Sequence, residues 1–143
     1  MECVAMIEFS GIDIILERQI NDTSIRQALA ASLGVPENRV IVIDDMSKYP
    51  ESAAADVVCV TSSVEGEFIQ LLSVQAGRLL LPYDEPLALI QSLCELLGTR
   101  CLAPDDDADP YCMWLISPGT ARGRIQIDPI AFDDDRYVIS RPT

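Results

Sequence analysis

The residue types that carry most enzymatic chemistry are sparse in this sequence. It contains no histidine, which removes Ser-His-Asp and Cys-His catalytic arrangements and most zinc sites. No two cysteines have C-x-x-C spacing, and the seven glycines never form G-x-G-x-x-G or G-x-x-x-x-G-K-S/T, the loops that bind nucleotide phosphates. The sequence therefore predicts a protein that is not an enzyme and that needs no cofactor.

Clustered carboxylates are the remaining side chains with catalytic or metal-binding potential. The neighbours Asp44 and Asp45 could act as an acid and a base, but acidic pairs at strand ends are usually just solvated. The run 105–109 (Asp-Asp-Asp-Ala-Asp) places carboxylates at the first three alternating positions of a calcium loop. Pro110 stands where that loop needs its turn glycine, and Ile116 stands where it needs its glutamate. We therefore expect no metal site, and interpret the run as a solvated loop or as an anionic surface for a partner.

The net charge of −13, from 23 acidic and 10 basic residues, is the most pronounced property of the composition. A field of this sign repels phosphate backbones and anionic lipids. Direct binding to nucleic acid or to a membrane surface is therefore disfavoured, and a protein partner with a basic surface is favoured. Simple solubility is the alternative explanation, because acidic surfaces keep many proteins in solution.

The cysteines indicate a reducing compartment. Their number is odd, their spacing is wide, and most lie in apolar runs such as 57–60 (Val-Val-Cys-Val). Free cysteine behaves as a small buried hydrophobic residue, and disulfides are rare in the cytosol. Without a signal-like N-terminus or an apolar run of about 18 residues, the sequence predicts a cytoplasmic protein. We expect all five thiols to be reduced and largely buried: Cys3, Cys59, Cys94, Cys101 and Cys112.

The length of 143 residues fits one domain, 1–143. Apolar periodicity predicts both strands and helices along it. The predicted strands are 4–9 and 12–17 (bent at Gly11), 39–44, 57–61, 99–103, 111–117, 124–128 and 136–140. The predicted helices are 23–33 and 85–97.

Capping residues predict where the two helices begin and end. The run 22–24 (Asp-Thr-Ser) offers N-caps, and Ser24 with Gln27 has capping-box spacing. Asp84 is the expected cap of the second helix, which ends before Gly98. The inward apolar stripe of that helix consists of Leu89, Leu93, Leu96 and Leu97.

The segment 67–74 has two interpretations. Ser62 with Glu65 could cap a helix that ends at Gly77, or the segment is the return strand of a hairpin. The hairpin is favoured, because Gly66 is costly near a helix start and the run suits a strand. The resulting order β-α-β-β-α-β predicts an α+β fold with two helices packed on one face of a mostly antiparallel sheet. The core is compatible with a ferredoxin-like unit, followed by a C-terminal β-meander.

The C-terminal part of the chain carries a family resemblance. It lies in 94–102 (Cys-Glu-Leu-Leu-Gly-Thr-Arg-Cys-Leu), the Asp-rich loop, 110–116 (Pro-Tyr-Cys-Met-Trp-Leu-Ile), a Pro-Gly turn, 125–128 (Ile-Gln-Ile-Asp) and 132–139 (Phe-Asp-Asp-Asp-Arg-Tyr-Val-Ile). Together these segments resemble small bacterial immunity proteins of polymorphic-toxin and contact-dependent growth inhibition systems. The resemblance implies a cytoplasmic protein that binds and blocks one cognate toxin domain, commonly a basic nuclease. These families share no invariant motif, so no binding residue is transferred by position.

Two acidic loops are the candidate partner-binding surface, because like charges in a loop cost stability and an opposing basic surface would offset that cost. Trp114 is interpreted as a core residue; if exposed, it would suit a binding hot spot. Two other functions stay open: an acidic interaction or scaffold domain, and a small-ligand regulatory domain without a toxin partner. The candidate binding residues are Asp105, Asp106, Asp107, Asp109, Tyr111, Asp133, Asp134 and Asp135.

Overall fold

The computed structural model describes residues 7–48, 55–83, 85–105, 109–120 and 122–140. Two single-turn 3-10 helices, Glu37–Arg39 and Met46–Lys48, accompany the regular elements. The strands are β1 (Ile7–Leu16), β2 (Val40–Ile43), β3 (Val57–Ser63), β4 (Glu65–Gly66), β5 (Gln70–Leu81), β6 (Cys101–Pro104), β7 (Cys112–Ile116), β8 (Gly123–Gln126) and β9 (Arg136–Tyr137). The helices are α1 (Asp22–Leu33), α2 (Pro86–Leu97) and α3 (Pro129–Asp133).

Seven strands form one sheet in the order β2-β3-β5-β1-β6-β7-β8. Only the pairing of β2 with β3 is parallel among the described strands of this sheet. The α+β prediction, with two helices packed on a mostly antiparallel sheet, is confirmed. The order β3-β5-β1-β6 is the one a ferredoxin-like unit would have, but β2 lies at an extra, parallel edge. The ferredoxin-like description therefore stays a prediction.

The C-terminal meander is confirmed for β6, β7 and β8, which pair antiparallel in succession. The last predicted strand, 136–140, is confirmed only at its first two residues, although the backbone of 138–140 hydrogen-bonds to that of 126–128. It is reduced to β9, which leaves the large sheet and pairs in parallel with β4. Beyond it, Ile139 makes one isolated bridge with Ile127. Long-range pairing of two-residue strands has no local sequence pattern, which explains the error.

The first strand and the hairpin follow the sequence closely. The bend predicted at Gly11 is a register shift between Phe9 and Gly11 within one continuous β1. A Cβ on Gly11 would lie 3.0 Å from the carbonyl oxygen of Val74, so the glycine permits the close pairing. The predicted return strand 67–74 is confirmed for residues 70–74, which belong to β5; this strand runs on to residue 81 and pairs with both β3 and β1, whereas residues 67–69 precede it. Residues 4–6 of the predicted strand lie outside the described residues.

The first helix begins one residue earlier than predicted. Asn21, and not the run 22–24, is the N-cap, because its side-chain oxygen accepts a hydrogen bond from the backbone N–H of Ser24 at 2.8 Å. The helix ends, as predicted, at Gly34, which has a left-handed φ of 68°. None of the helices in the described part of the chain is long and apolar enough to cross a membrane.

The second helix ends as predicted before Gly98, which has the left-handed C-cap conformation, and it begins at Pro86, one residue later than predicted. The predicted cap, Asp84, which lies outside the described residues, is wrong: because proline occupies the first helical position, the N-cap is Glu85, whose side chain makes no capping hydrogen bond. The predicted inward stripe is wrong at Leu96, which is 55% exposed, whereas Leu89 and Leu93 are fully buried. The buried face of α2, which packs against α1 and the sheet, is therefore narrower than the stripe of four leucines predicted.

Side chains of the central strand β1 alternate between two cores. Ile14 and Leu16 point into the core between the sheet and the two helices. Ile15 points into a smaller core on the opposite face, which the C-terminal segment covers. The buried members of this second core are Ile15, Phe68, Leu102, Met113 and Ile127.

Candidate functional site

An aromatic cluster holds the C-terminal segment on the second core. The Phe132 ring lies edge-to-face against Tyr111 at 5.9 Å and against Tyr137 at 5.6 Å, between ring centroids. Such pairs contribute beyond their buried area. Tyr111, a predicted partner-binding residue, is half-buried in this cluster, so its ring stabilises the fold.

The second acidic loop, 133–135, overlaps the C-terminal end of the short helix α3. Asp128 caps α3 by accepting a hydrogen bond from the backbone N–H of Ile130 at 3.0 Å. Asp133 is the last residue of α3, not a loop residue, and Asp134 is its C-cap. Asp135 has a left-handed φ of 59°, a conformation that aspartate tolerates better than most residues. The chain therefore turns sharply from α3 into β9 and leaves three exposed carboxylates on the turn.

A glycine brings a distant acidic residue to this turn. Gly66 has a φ of 112°, and a Cβ at this position would collide with the backbone of Tyr137. Only glycine allows β4 and β9 to approach as they do, with Glu65 opposite Arg136 and Gly66 opposite Tyr137. The pairing places the exposed Glu65 beside the second acidic loop.

These residues line one open depression of about 440 Å³, which we call the acidic depression. Its three carboxylates are exposed, and none of the described lining residues is basic. The nearest recorded cation is Arg136, whose Nη2 lies 3.8 Å from Asp134 Oδ2, a marginal ion pair. The lining residues are Ser63, Val64, Glu65, Asp134, Asp135 and Tyr137.

The ionisation of Tyr137 reports the charge around the depression. Burial raises the pKa of its phenol above the ordinary value, and the negative charges of Asp135 and Asp13 raise it further. Asp13 belongs to β1 and is exposed, so a fourth carboxylate, from a third segment, acts on the same region. The phenol stays neutral at physiological pH and can donate a hydrogen bond.

The first acidic loop uses its charge within the fold. Asp105 lies 3.0 Å from Arg124 Nε, and its side chain is only 4% exposed. Its Oδ1 accepts a hydrogen bond from Arg124 Nη2 at 3.4 Å, whereas its Oδ2 receives no well-aligned hydrogen bond from the described residues and is held by charge attraction. The same arginine lies over the Trp114 ring, 5.1 Å from the centroid. Asp105 therefore joins the start of the loop to the β7–β8 hairpin.

Asp109 has a comparable structural role at the end of that loop. Its Oδ1 accepts a hydrogen bond from the backbone N–H of Tyr111 at 2.9 Å, and its Oδ2 accepts one from Gln126 Nε2 at 3.2 Å. The two remaining candidates, Asp106 and Asp107, lie outside the described residues. The described carboxylates of the first loop are thus engaged locally, whereas those of the second are presented to solvent.

The carboxylate pair Asp44 and Asp45, considered as an acid and a base, makes local contacts instead. Asp44 accepts a hydrogen bond from Lys48 Nζ at 2.7 Å, which lowers the pKa of that carboxyl. A hydrogen bond from the backbone N–H of Ser47 lowers the pKa of Asp45. Within the described ranges, no group of three or more His, Cys, Asp or Glu side chains is arranged to hold a metal. The expectation about calcium at 105–109 stays a prediction, since part of that run is not described.

Trp114 is half-buried rather than fully enclosed. It packs against the helix-side core, while Arg122 and Arg124 cover its ring at 5.6 and 5.1 Å from the centroid. Arg122 is itself ion-paired with Glu85. The ring is therefore occupied by this chain's own arginines and is not presented as a hot spot.

Sequence reasoning missed Glu65 and Asp13 as members of the acidic region. In the sequence, Glu65 is a candidate only for capping a helix, and Gly66 is only an argument for the hairpin. Gly66 is the one local signal of this pairing, because glycine is common where a backbone must adopt a positive φ or approach another segment closely. Nothing in the sequence indicated which segment would approach.

Comparison of the chain with models of protein families, with characterised proteins and with solved structures finds no match.

Proposed function

We propose that the protein binds a basic surface of a partner protein through the acidic depression, and that the partner is a toxin domain which it neutralises. The observation that carries the proposal is the convergence of carboxylates from separate segments, at Glu65 and at 134–135, on one open depression of a chain with net charge −13. Exposed like charges repel one another. A basic partner would convert that repulsion into attraction.

The physics of this charge arrangement suits inhibition of a nuclease-type toxin. Nucleases hold phosphates, so their active clefts are basic, and an acidic protein can occlude them. Electrostatic steering would speed association and complementary charge would give specificity. The same field disfavours direct binding of this chain to nucleic acid or to anionic membranes.

An exposed apolar side chain in the helix that precedes the second acidic loop adds to the proposed surface. Ile130 is 76% exposed in α3, three residues before Asp133 and therefore on the same side of the helix. Interfaces commonly combine an apolar contact with a charged rim. The proposed surface thus has an apolar element next to its carboxylates.

The resemblance to bacterial immunity proteins supplies the class of partner, and the buried cysteines fit a reducing cytoplasm. A scaffold domain whose acidity serves only solubility is the second candidate. It predicts that no particular carboxylate matters for binding. A small-ligand regulatory role is less supported, because the depression is open and lined mainly by polar and charged side chains.

The decisive experiment is neutralisation of a toxin domain encoded beside the gene for this chain. Cells that express the toxin domain are expected to grow only when the wild-type protein is co-expressed. A variant with Glu65→Gln and Asp135→Asn should lose protection, because both changes remove charge from the acidic depression without removing side-chain volume.

A control variant, Glu37→Gln with Glu95→Gln, removes the same amount of charge from exposed positions elsewhere. It should protect as well as the wild type. Equal loss of protection in both variants would indicate a nonspecific charge effect. Full protection by the depression variant would remove the depression from the binding surface.

A further inference from the structure

Two cysteines that are seven positions apart meet inside the helix-side core. Cys94 lies in the last turn of α2 and Cys101 is the first residue of β6. Their sulfur atoms are 2.7 Å apart, and both residues are completely buried. The chain between them is fixed by the C-cap of α2, where the N–H groups of Gly98 and Thr99 both donate to the carbonyl oxygen of Cys94.

We infer that Cys94 and Cys101 are a redox site and close to an intramolecular disulfide when the protein meets a disulfide oxidant such as oxidised glutathione. In that reaction a Cys94 or Cys101 thiolate attacks the oxidant and displaces one glutathione thiolate. The partner cysteine, after losing its proton, attacks the mixed disulfide and displaces the second glutathione. The two cysteines lose two protons and two electrons, and one oxidised glutathione becomes two reduced molecules.

The geometry favours this pair over any other partner. A disulfide has its sulfur atoms at about 2.05 Å, so closure requires the thiols to move by less than about 1 Å. Cys101 lies between two neighbouring strands, opposite Leu16 of β1 and Ile116 of β7, and cannot swing away to another cysteine. Cys59 is also buried, but among the described residues its sulfur atom contacts no other cysteine sulfur.

The same burial makes the reaction slow in the folded state. The hydrogen bond with Cys94 and desolvation both raise the pKa of the Cys101 thiol, so little reactive thiolate is present at neutral pH. Oxidation is expected to require opening of the α2 C-terminus. The thiols are therefore expected to stay reduced in a reducing compartment, as the composition predicts, and to close on sustained oxidation.

The test is exposure of the full-length reduced protein to oxidised glutathione, followed by alkylation with N-ethylmaleimide in denaturant and intact-mass measurement. The reduced protein should carry five adducts, one per cysteine. The oxidised protein should carry three, two fewer, with no bound glutathione. Trypsin cleaves after Arg100, so the bond should link peptide 79–100 to peptide 101–122 under non-reducing conditions.

Because peptide 101–122 also contains Cys112, the mapping is repeated in a Cys112→Ser background. Cys94→Ser and Cys101→Ser should each abolish the cross-link, and Cys59→Ser, another buried position, should leave it intact. Retention of five adducts after oxidation overturns the inference. So does a bond to Cys112 or Cys3, a link between two molecules, or a stable mixed disulfide with glutathione. Fragment-ion sequencing of the linked wild-type peptides, which separates Cys101 from Cys112, decides the question even if a serine variant fails to fold.

Discussion

The two acidic loops of this chain look alike in sequence and differ in the structure. In the first, Asp105 is ion-paired and nearly buried, and Asp109 accepts hydrogen bonds from the backbone N–H of Tyr111 and from Gln126. In the second, the carboxylates 133–135 are exposed, and the one recorded ion pair, between Asp134 and Arg136, is marginal. The difference lies in the neighbours that the fold supplies, not in the density of acid along the chain.

The comparison separates acidic residues that stabilise the fold from those available to a partner. An aspartate whose oxygens are satisfied within the fold would have to give up those contacts to bind a second protein. An exposed carboxylate beside other carboxylates gains from an opposing cation without losing a contact. The second loop, extended by Glu65 across the short β4–β9 pairing, is therefore the stronger candidate for binding.

The largest effect is expected from charge reversal in the acidic depression. Glu65→Lys with Asp134→Lys should weaken binding to a basic toxin domain by more than about 100-fold, equivalent to about 3 kcal/mol. The physical reason is that attraction becomes repulsion at two exposed positions. Surface binding at low and high salt measures the affinity, and circular dichroism controls for folding.

Asp109→Asn in the first loop should change the affinity by no more than about threefold, less than 1 kcal/mol, and its matched comparison is Asp134→Asn, which removes the same single charge from the second loop and should weaken binding more. Wild-type affinity should also fall as salt rises, because exposed charges are screened. Equal losses for the two loops would break the distinction between them. Binding that does not respond to salt would remove the electrostatic basis of the proposal.

Sequence reasoning succeeded for features set by nearby residues. Both long helices ended at Gly34 and Gly98 as predicted, because a left-handed C-cap is a local preference. The hairpin between β3 and β5 followed from Gly66 and a β-compatible run. The fold class required only these elements and their order.

The candidate site was only half visible in the sequence, because it depends on contacts between distant segments. The exposed run 133–135 was identified, but Glu65 joins it through a pairing across about seventy residues. The ion pair that occupies Asp105 comes from Arg124, nineteen positions away on the next hairpin. Local composition cannot distinguish an acid that will meet an arginine from one that will not.

The next largest effect concerns stability, and here the first loop should matter more than the second. Asp105→Ala should lower the free energy of unfolding by about 1–2 kcal/mol, because it leaves Arg124 without its partner and opens space at a side chain only 4% exposed. The arginine is itself largely exposed, so solvent limits the loss. Urea denaturation measures the change.

Asp134→Ala is the corresponding change in the second loop and should stay within about 0.5 kcal/mol, as is usual for exposed substitutions. If both alanine variants lost the same stability, the first loop would not be the structural one.

A smaller loss is expected at the end of the first loop. Asp109→Asn keeps one acceptor oxygen for the backbone N–H of Tyr111 but presents an amide donor where the wild type accepts from Gln126 Nε2. The Gln126 amide has to turn and offer its oxygen instead, so a charge-assisted hydrogen bond is replaced by a weaker neutral one, at a cost of about 0.5–1.5 kcal/mol. The midpoint of urea unfolding should shift accordingly, whereas Asp133→Asn, at an exposed position, should not move it. Indistinguishable midpoints for the two variants would remove this structural role from Asp109.

The smallest effect tests whether the second loop acts on its surroundings by charge. Burial raises the pKa of Tyr137 above its ordinary value of 10.0, and Asp135 and then Asp13 add to the shift. Asp135→Asn should therefore lower the pKa of Tyr137, because one of the charges that oppose phenolate formation is removed. A titration of tyrosinate absorbance, read as the difference from a Tyr137→Phe variant, measures it.

The raised pKa of Tyr137 also predicts how the stability of the fold depends on pH. A raised pKa means that the folded state holds the phenol proton more tightly than the unfolded state, so stability is fully present below pH 10 and falls as the pH rises through the folded pKa. The wild type should therefore lose stability over a wider alkaline range than Asp135→Asn. Asp105→Asn, in the loop whose charge is paired with Arg124, should leave the Tyr137 titration unchanged. If the two asparagine variants shifted it equally, the carboxylates around the depression would not be electrostatically distinct from those of the first loop.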